Sequence, residues 1–383
     1  MNIFSWITER FTPVKPLPAG VYHFESPTDA AAPFRLHLRL QKNGSGLLIL
    51  NASTVLQLNA TAAEYAYHLV QGTEPLEAAK AIAARYRIHN SQALADFGDF
   101  MERILTLAQT TDLDPVASLG FERVQPNSAD LSAPLRLDCA LTYRLPSGGD
   151  PLNAPTKRVD RELTTAEWET ILDQAWAVGI PQIIFTGGEA TLRDDLPDLI
   201  AHAEKNGQVT GLLTDGHKLA DPAYLDRLLQ TGLDHLMLVL PTNAEPNWQA
   251  LQNALVADIF LSVHLTLTPA NIAGAQAQLD QLRTAGVEAL SLSVTDPSLH
   301  EALSRLRDHA ADLNLRIVSD LPVPYSEAHP VALEIAEDAE PAGAGKAWLY
   351  LEPDGDVLPA QGLANQVLGN ILKDAWEKIY QPG

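Results

Sequence analysis

Phe34, Leu36, Leu38 and Leu40 alternate with Arg35, His37 and Arg39, the period-two spacing of a strand with one buried face. A turn at Asn43-Gly44-Ser45-Gly46 leads into Leu47-Leu48-Ile49-Leu50, and the two runs predict a hairpin. Val55-Leu56-Gln57-Leu58 then precedes Asn59, a good helix N-cap, and the spacing becomes helical: Ala62, Ala63, Tyr65, Ala66 and Leu69 share a face. Two further helices are predicted, one carrying Leu76, Ala79, Ile82, Ala83 and Tyr86, the other Leu94, Phe97, Met101, Ile104 and Leu105. Residues 34–115 therefore read as a small α+β unit, strands first and three helices after. Residues 1–33, rich in Pro and Ala with little periodicity, read as an extended arm.

From about residue 130 to 320 strand and helix patterns alternate. Strands are predicted at 135–142, 181–186, 209–214, 234–240, 260–267 and 289–294, with helices starting near Thr165, Asp194, Pro222, Asn247, Ile272 and Ser298. The first helix carries a capping box, Thr164-Thr165-Ala166-Glu167, and an apolar face of Trp168, Ile171, Leu172 and Ala175. Six βα repeats predict an α/β fold, an open, partial (β/α)6 barrel of TIM-like kind with its chemistry at the C-terminal strand ends. Periodicity alone does not separate this from a doubly wound sheet.

Composition narrows the setting. At 383 residues the chain exceeds a single core, so two or three domains are expected. One cysteine excludes a disulfide framework. The start, MNIFSWITERFTPVKPLP, lacks a secretion signal, and no run of about eighteen apolar residues occurs, so a cytoplasmic protein without a membrane partner is expected. A formal charge of -22 would repel phosphate backbones, which excludes nucleic acid as a partner.

The chemistry-bearing strings lie in the barrel region. Leu135 to Tyr143 (LRLDCALTY) runs into Arg144-Leu145-Pro146-Ser147-Gly148-Gly149-Asp150-Pro151-Leu152, and the second strand ends in Phe185-Thr186-Gly187-Gly188-Glu189-Ala190-Thr191-Leu192-Arg193. This resembles the radical S-adenosylmethionine (radical SAM) family, whose first strand feeds a C-x3-C-x2-C loop and whose second ends in Gly-Gly-Glu. In that family three thiolates hold a four-iron, four-sulfur cluster whose open iron chelates S-adenosylmethionine. Here Leu145, Gly149 and Leu152 stand at the three cysteine positions, and neither leucine nor glycine has a lone pair for iron. The iron-sulfur cluster is therefore expected to be absent. Cys139, within the first strand, reads as a small buried apolar residue. The resemblance places Gly187, Gly188, Glu189 and Thr214 in the S-adenosylmethionine site, with the glycines permitting close approach. Two departures bear on retention of that ligand: Asp215 stands where the family has Asn, and Pro151 where it commonly has an aromatic. Binding of S-adenosylmethionine thus stays open. With the cluster gone, Leu145 and Leu152 are expected to fill the vacated space, with Gly149 letting the loop fold inward.

The C-terminal segment, residues 335–383, resembles the SPASM or twitch extension that holds an auxiliary cluster. Both of its cysteine slots are alanine, Ala342 and Ala360, on either side of Gly355. Residues 34–115 resemble the PqqD-like recognition element for leader peptides of ribosomal natural products, a winged-helix-like module, on Leu50-Asn51-Ala52-Ser53-Thr54, Leu58-Asn59-Ala60-Thr61-Ala62-Ala63-Glu64 and the Tyr86-containing helix. In that family a leader peptide adds as a strand to the sheet edge. Elsewhere the pattern is thin: His202, His217, His235, His264, His300 and His309 show no metal-ligand pairing, and neither a nucleophile elbow nor a Walker loop occurs. No catalytic residue and no metal ligand is assigned. The resemblances together imply a pseudoenzyme: a cluster-less radical SAM-like protein that binds a leader or precursor peptide and acts as an accessory or scaffold in peptide maturation, with an intact radical SAM paralogue as a further candidate partner. Two alternatives stand beside it, a peptide-modifying radical SAM enzyme whose cysteines were engineered out and a metal-free S-adenosylmethionine-binding enzyme.

Overall fold

A computed structural model describes residues 14–27, 33–51, 54–110, 131–148, 150–240, 245–334 and 340–381. Gly149, Ala52, Ser53 and residues 111–115 and 335–339, named above, lie outside the described residues. The chain divides into two compact units, Met1–Ser132 and Ala133–Gly383.

In the N-terminal unit four antiparallel strands pair in chain order: β1 (Gly20–Glu25), β2 (Arg35–Leu40), β3 (Gly46–Leu50) and β4 (Thr54–Leu58). The first falls within residues 1–33, read from sequence as an extended arm without a place in the sheet: Gly20–Glu25 pairs along the whole of β2, Tyr22 opposite Leu38 and Phe24 opposite Leu36, while residues 1–13 and 28–32 of that arm lie outside the described residues. Three helices follow, α1 (Ala60–Val70), α2 (Pro75–Tyr86) and α3 (Asn90–Gln109). Asn59 caps α1 by accepting from the Ala62 amide at 3.0 Å, and Pro75 opens α2, where its missing N–H costs nothing. Alternate strand residues Leu36, Leu38, Leu48, Leu50, Leu56 and Leu58 meet Ala66, Ile82, Phe97 and Ile104 in one core. Each leucine, isoleucine and phenylalanine among them, fully buried, contributes about 1.5–3 kcal/mol. Leu76 and Leu105, expected on the apolar faces, are exposed and lie outside it.

The C-terminal unit holds a ten-stranded sheet. Its parallel part comprises β5 (Arg136–Thr142), β6 (Gln182–Gly187), β7 (Val209–Thr214), β8 (His235–Val239), β9 (Phe260–Leu267), β10 (Ala289–Val294) and β11 (Arg316–Ile317), each neighbour of the last. β11, two residues long, escapes periodicity. Beyond β5, β12 (Trp348–Leu351) pairs in parallel with it, followed by antiparallel β13 (Asp356–Leu358) and β14 (Gly369–Asn370). Trp348–Leu351, read from sequence as part of a separate extension, is thus a strand of the main sheet.

Helices α4 (Thr165–Ala177), α5 (Leu196–Asn206), α6 (Pro222–Gln230), α7 (Glu245–Leu255), α8 (Ala275–Ala285) and α9 (His300–Asp312) connect the parallel strands; a short α10 (Trp376–Ile379) ends the chain. The capping box forms as expected, Thr164 accepting from the Glu167 amide and Glu167 from the Thr164 amide. Trp168, Ile171 and Leu172 of α4 pack on Leu137, Cys139 and Leu141 of β5, Ile183 and Phe185 of β6, and Leu212 of β7. Strand side chains alternate between faces, so the intervening residues, Asp138, Ala140, Ile184, Thr186, Leu213, Met237, His264 and Thr266, occupy the helix-free face.

Candidate functional site

The ends of β5, β6, β7 and β9 bring the candidate residues together on the helix-free side. Gly187 and Gly188 let two strand ends press against each other: a Cβ on Gly187, at φ +129°, would lie 2.2 Å from the Thr142 carbonyl oxygen, and one on Gly188 would lie 2.5 Å from that of Arg144. The backbone closes the gap, with Gly188 N–H donating to Thr142 O at 2.8 Å and Glu189 N–H to Arg144 O at 2.9 Å. What approaches these glycines is the chain's own backbone, and that alone requires them.

Glu189 is 3 % exposed and its carboxylate accepts four hydrogen bonds. Oε1 receives the Thr191 amide (2.9 Å), the Thr191 hydroxyl (2.6 Å) and the Thr214 hydroxyl (2.7 Å); Oε2 receives the Asp215 amide (2.9 Å). Burial and the neighbouring Asp215 carboxylate nevertheless push the Glu189 carboxyl up to about 7. The Asp215 carboxylate accepts from the His217 amide at 2.8 Å and lies 3.1 Å from His217 Nδ1. Glu189, Asp215 and His217, with Leu145, Thr266, Thr268, Asn271 and Tyr325, line a cavity of about 450 Å³. His217 is thereby brought into the site; Thr266, Thr268, Asn271 and Tyr325 carry no local sequence signal. His264, beneath it, is a satisfied core group, its ring nitrogens bonding Ser291, Thr266 and Ser293 hydroxyls at 3.0, 3.2 and 3.0 Å, and burial holds it down at about 3.

The residues present do not fit a three-thiolate cluster. Leu145 is buried against Ala140, Tyr143, Ala154, Tyr325, Tyr350 and Leu358. Leu152 is 73 % exposed, which corrects the expectation that it fills the vacated space. Its amide is held by Asp150 in a turn that aims the side chain outward. Cys139 is fully buried on the helix-covered face of β5, opposite in direction to this loop, and burial raises its thiol far above the usual range. Among the described residues no group of three His, Cys, Asp or Glu side chains could hold a metal. Of the two alanine slots, Ala342 is exposed and Ala360 buried beside a second, smaller cavity of about 170 Å³.

Around Leu145 the helix-free face carries a polar network. Tyr143 donates to Glu352 Oε1 at 2.9 Å; Arg158 bonds Glu352 and Glu334, each at 2.7 Å; Tyr325 donates to Glu334 at 2.9 Å. The Tyr143 and Tyr325 rings meet edge to face at 5.5 Å.

A family model for the "Radical SAM superfamily" matches residues 139–245, the stretch from Cys139 through the Gly-Gly-Glu turn to α7. This is an α/β radical SAM fold. A PqqA peptide cyclase of Granulibacter bethesdensis is 38% identical over 110 residues, 28% of this chain and 29% of that protein. One of Streptomyces rochei is 29% identical over 284 residues, 65% of this chain and 76% of that protein. The chain thus aligns with under a third of the first relative and about three quarters of the second. In structure it is similar to Streptococcus suis SuiB bound to precursor peptide SuiA, with a TM-score of 0.58 at 15% identity over 90% of this chain and 87% of that one. SuiB bound to S-adenosylmethionine gives 0.56 at 15% over 93% and 88%. No helix among the described residues is long and apolar enough to cross a membrane.

Proposed function

We propose that this chain is a cluster-less radical SAM-like protein that binds a ribosomal precursor peptide and serves as an accessory or scaffold in its maturation. The observation that carries the reading is Leu145: a hydrocarbon side chain, buried among tyrosines, stands at the first cluster-ligand position, and the chain's single thiol points to the other face of the sheet. The likeness to peptide cyclases and to SuiB supports a peptide as the partner. The PqqD-like reading of residues 34–115 is supported by an open edge: among the described residues β4 pairs only with β3, and Val55 is exposed along it. An extended leader peptide adding there would gain backbone hydrogen bonds with no help from the other unit.

The test has two arms. Anaerobic reconstitution with iron and sulfide is expected to leave the protein colourless and unable to form 5'-deoxyadenosine from S-adenosylmethionine; stoichiometric iron with product would overturn the reading. Fragment 14–110, isotope-labelled and titrated with candidate leader peptides, is expected to show shifts confined to β4 and its flanks; silence with every candidate removes the peptide role.

One observation favours a second reading, metal-free binding of S-adenosylmethionine. The cavity is acidic, with Glu189 and Asp215 and, among the described residues, no lysine or arginine lining it, which complements a sulfonium and an ammonium. Calorimetry should then show S-adenosylmethionine binding more tightly than the uncharged thioether S-adenosylhomocysteine; no binding of S-adenosylmethionine excludes the reading, and equal binding of the two removes the charge argument behind it.

A further inference from the structure

Residues 320–334 leave the β11 edge and run across the helix-free face as a strap. Prolines at 322 and 324 fix φ near −65° and push Leu321 and Val323 toward extended backbone. They also leave Val323 and Tyr325 as the only residues from 322 to 325 with an amide to donate. Both are taken. Val323 gives its N–H to Gln361 Oε1 at 2.8 Å and accepts from Gln361 Nε2 at 2.6 Å, so a single side chain mimics a neighbouring strand. Tyr325 N–H donates to the Gly187 carbonyl at the end of β6 at 2.8 Å. Arg136 donates to the Asp320 carbonyl at 2.5 Å.

The side chains sit as a ligand's would. Leu321 packs on Ile184, Leu213 and Met237, and Tyr325, 2 % exposed, enters the tyrosine cluster four residues later. Yet the strap fits its bed imperfectly. The 170 Å³ and 450 Å³ cavities both take walls from it, the first from Asp320 to Val323, the second from Pro324 to Ala328, and Tyr325 lines both. Next to Gly187, Thr186 is buried and keeps its hydroxyl without a hydrogen-bond partner, and in the strap His329 Nδ1 is buried without one.

We propose that this bed is a binding site for an extended peptide bearing an apolar residue and, four positions on, a tyrosine, and that residues 320–334 occupy it as an internal pseudo-ligand. Backbone recognition by Gln361 and Gly187 accepts many sequences, while the Leu321 and Tyr325 pockets choose among them. Displacing the strap joins the two cavities into one cleft and frees the wall of the Glu189 site. The inference rests on the reading of the chain as a peptide binder, and it places a second contact for that peptide in the C-terminal unit.

The experiment uses the full chain and a fluorescein-labelled synthetic peptide copying residues 319–330. In the Leu321→Ser, Tyr325→Ser variant the strap keeps its backbone bonds but loses both side-chain anchors, while its bed is intact, so the peptide should bind at least tenfold more tightly than to the parent, and adding Gln361→Ala should abolish the gain. No gain, in a variant with the parent's circular dichroism and melting profile, overturns the proposal. If that variant does not fold, hydrogen exchange on the parent decides. The Val323 and Tyr325 amides should exchange at least tenfold faster than those of Ile184 and Phe185, and faster again in Gln361→Ala. Equal protection of strap and β6 means the strap is core and overturns the proposal. Loss of leader binding by the N-terminal fragment leaves these outcomes untouched, so the two readings fail separately.

Discussion

Glu189→Gln isolates the charge at the centre of the candidate site. A carboxyl pushed from 4.5 to about 7 disfavours its charged form by about 3 kcal/mol, at about 1.4 kcal/mol per pH unit. Because the folded-state value is raised, the group does no harm below about pH 4.5, where folded and unfolded chains both hold the proton. Between about 4.5 and 7 the unfolded chain releases it and the folded chain does not, so stability falls as pH rises; above about 7 the full penalty is present. Glutamine removes that dependence at a fixed cost. With its oxygen at the Oε1 position it keeps both Thr191 bonds and the Thr214 bond, but its NH2 then faces the Asp215 N–H, a donor against a donor, which costs about 1–3 kcal/mol.

The expected outcome is therefore a crossing. At pH 5 the variant is less stable than the parent by about 1–3 kcal/mol, and by pH 8 the gap closes or reverses because the parent has lost about 3 kcal/mol. Urea unfolding followed by tryptophan fluorescence measures it, since Trp168, Trp176, Trp248, Trp348 and Trp376 all lie in the C-terminal unit. Comparing the two proteins at each pH cancels the general repulsion of a chain of charge -22. A parent–variant difference that stays the same at pH 5 and pH 8 refutes the reasoning and leaves Glu189 an ordinary ionised carboxylate.

Leu145→Ala should cost about 2–3 kcal/mol, the low end for a buried leucine because one side borders a cavity, whereas Leu152→Ala should stay within about 0.5 kcal/mol; equal effects in urea unfolding would contradict their burial. Restoring cysteine at 145 and 152 in metal-free reducing buffer should destabilise the fold only by what Leu145→Cys alone does, since Leu152 has no packing to lose, and a double variant much worse than that single one would show otherwise. Arg158→Ala strands the buried Glu352 carboxyl, which burial already pushes up, so the variant should lose about 3 kcal/mol at pH 8 and progressively less as the pH falls and Glu352 takes a proton; a deficit that grows toward acid refutes the ion pair's role. Cys139 should resist alkylation in the native protein and react at once in urea, and native-state labelling on the same timescale would place it outside the core.

Local periodicity made most of this fold legible because most of its elements are regular and amphipathic. The six strands from 135 to 294 and the helix at Thr165 appear where alternation and the capping box put them. The misses share a cause: each is decided by distant partners. Gly20–Glu25 becomes a strand because β2 offers an edge, β11 is two residues beside β10, and Trp348–Leu351 joins the main sheet through β5, more than two hundred residues earlier in the chain. In the candidate site, Gly187, Gly188, Glu189 and Thr214 were readable as a string after a strand. Tyr325 was not, since nothing in Pro324-Tyr325-Ser326 announces that its amide will meet Gly187. Leu145 and Leu152 look alike in sequence and differ in fate because Asp150 turns the second outward.

The absence of cluster thiolates and the shape of the Gly-Gly-Glu turn bear differently on one another than sequence implies. Read as a ligand motif, the intact glycines argue that S-adenosylmethionine still binds. In the fold they answer first to the Thr142 and Arg144 carbonyls, and any side chain at either position would part β5 from β6. Their persistence therefore carries no weight for a ligand. Glu189 is a different matter. A carboxylate held at 3 % exposure beside a second carboxylate is an expensive arrangement for a purely structural role, because a neutral residue could accept from the same threonines without the repulsion. A cation in the cavity relieves that cost directly, and the tighter the cation binds, the further the Glu189 carboxyl falls. If S-adenosylmethionine is that cation, its saturation should release a fraction of a proton near pH 7, which calorimetry in buffers of different ionisation enthalpy reads as a buffer-dependent heat. Binding with no such dependence would put the ligand elsewhere, and the acidic pair would need another explanation.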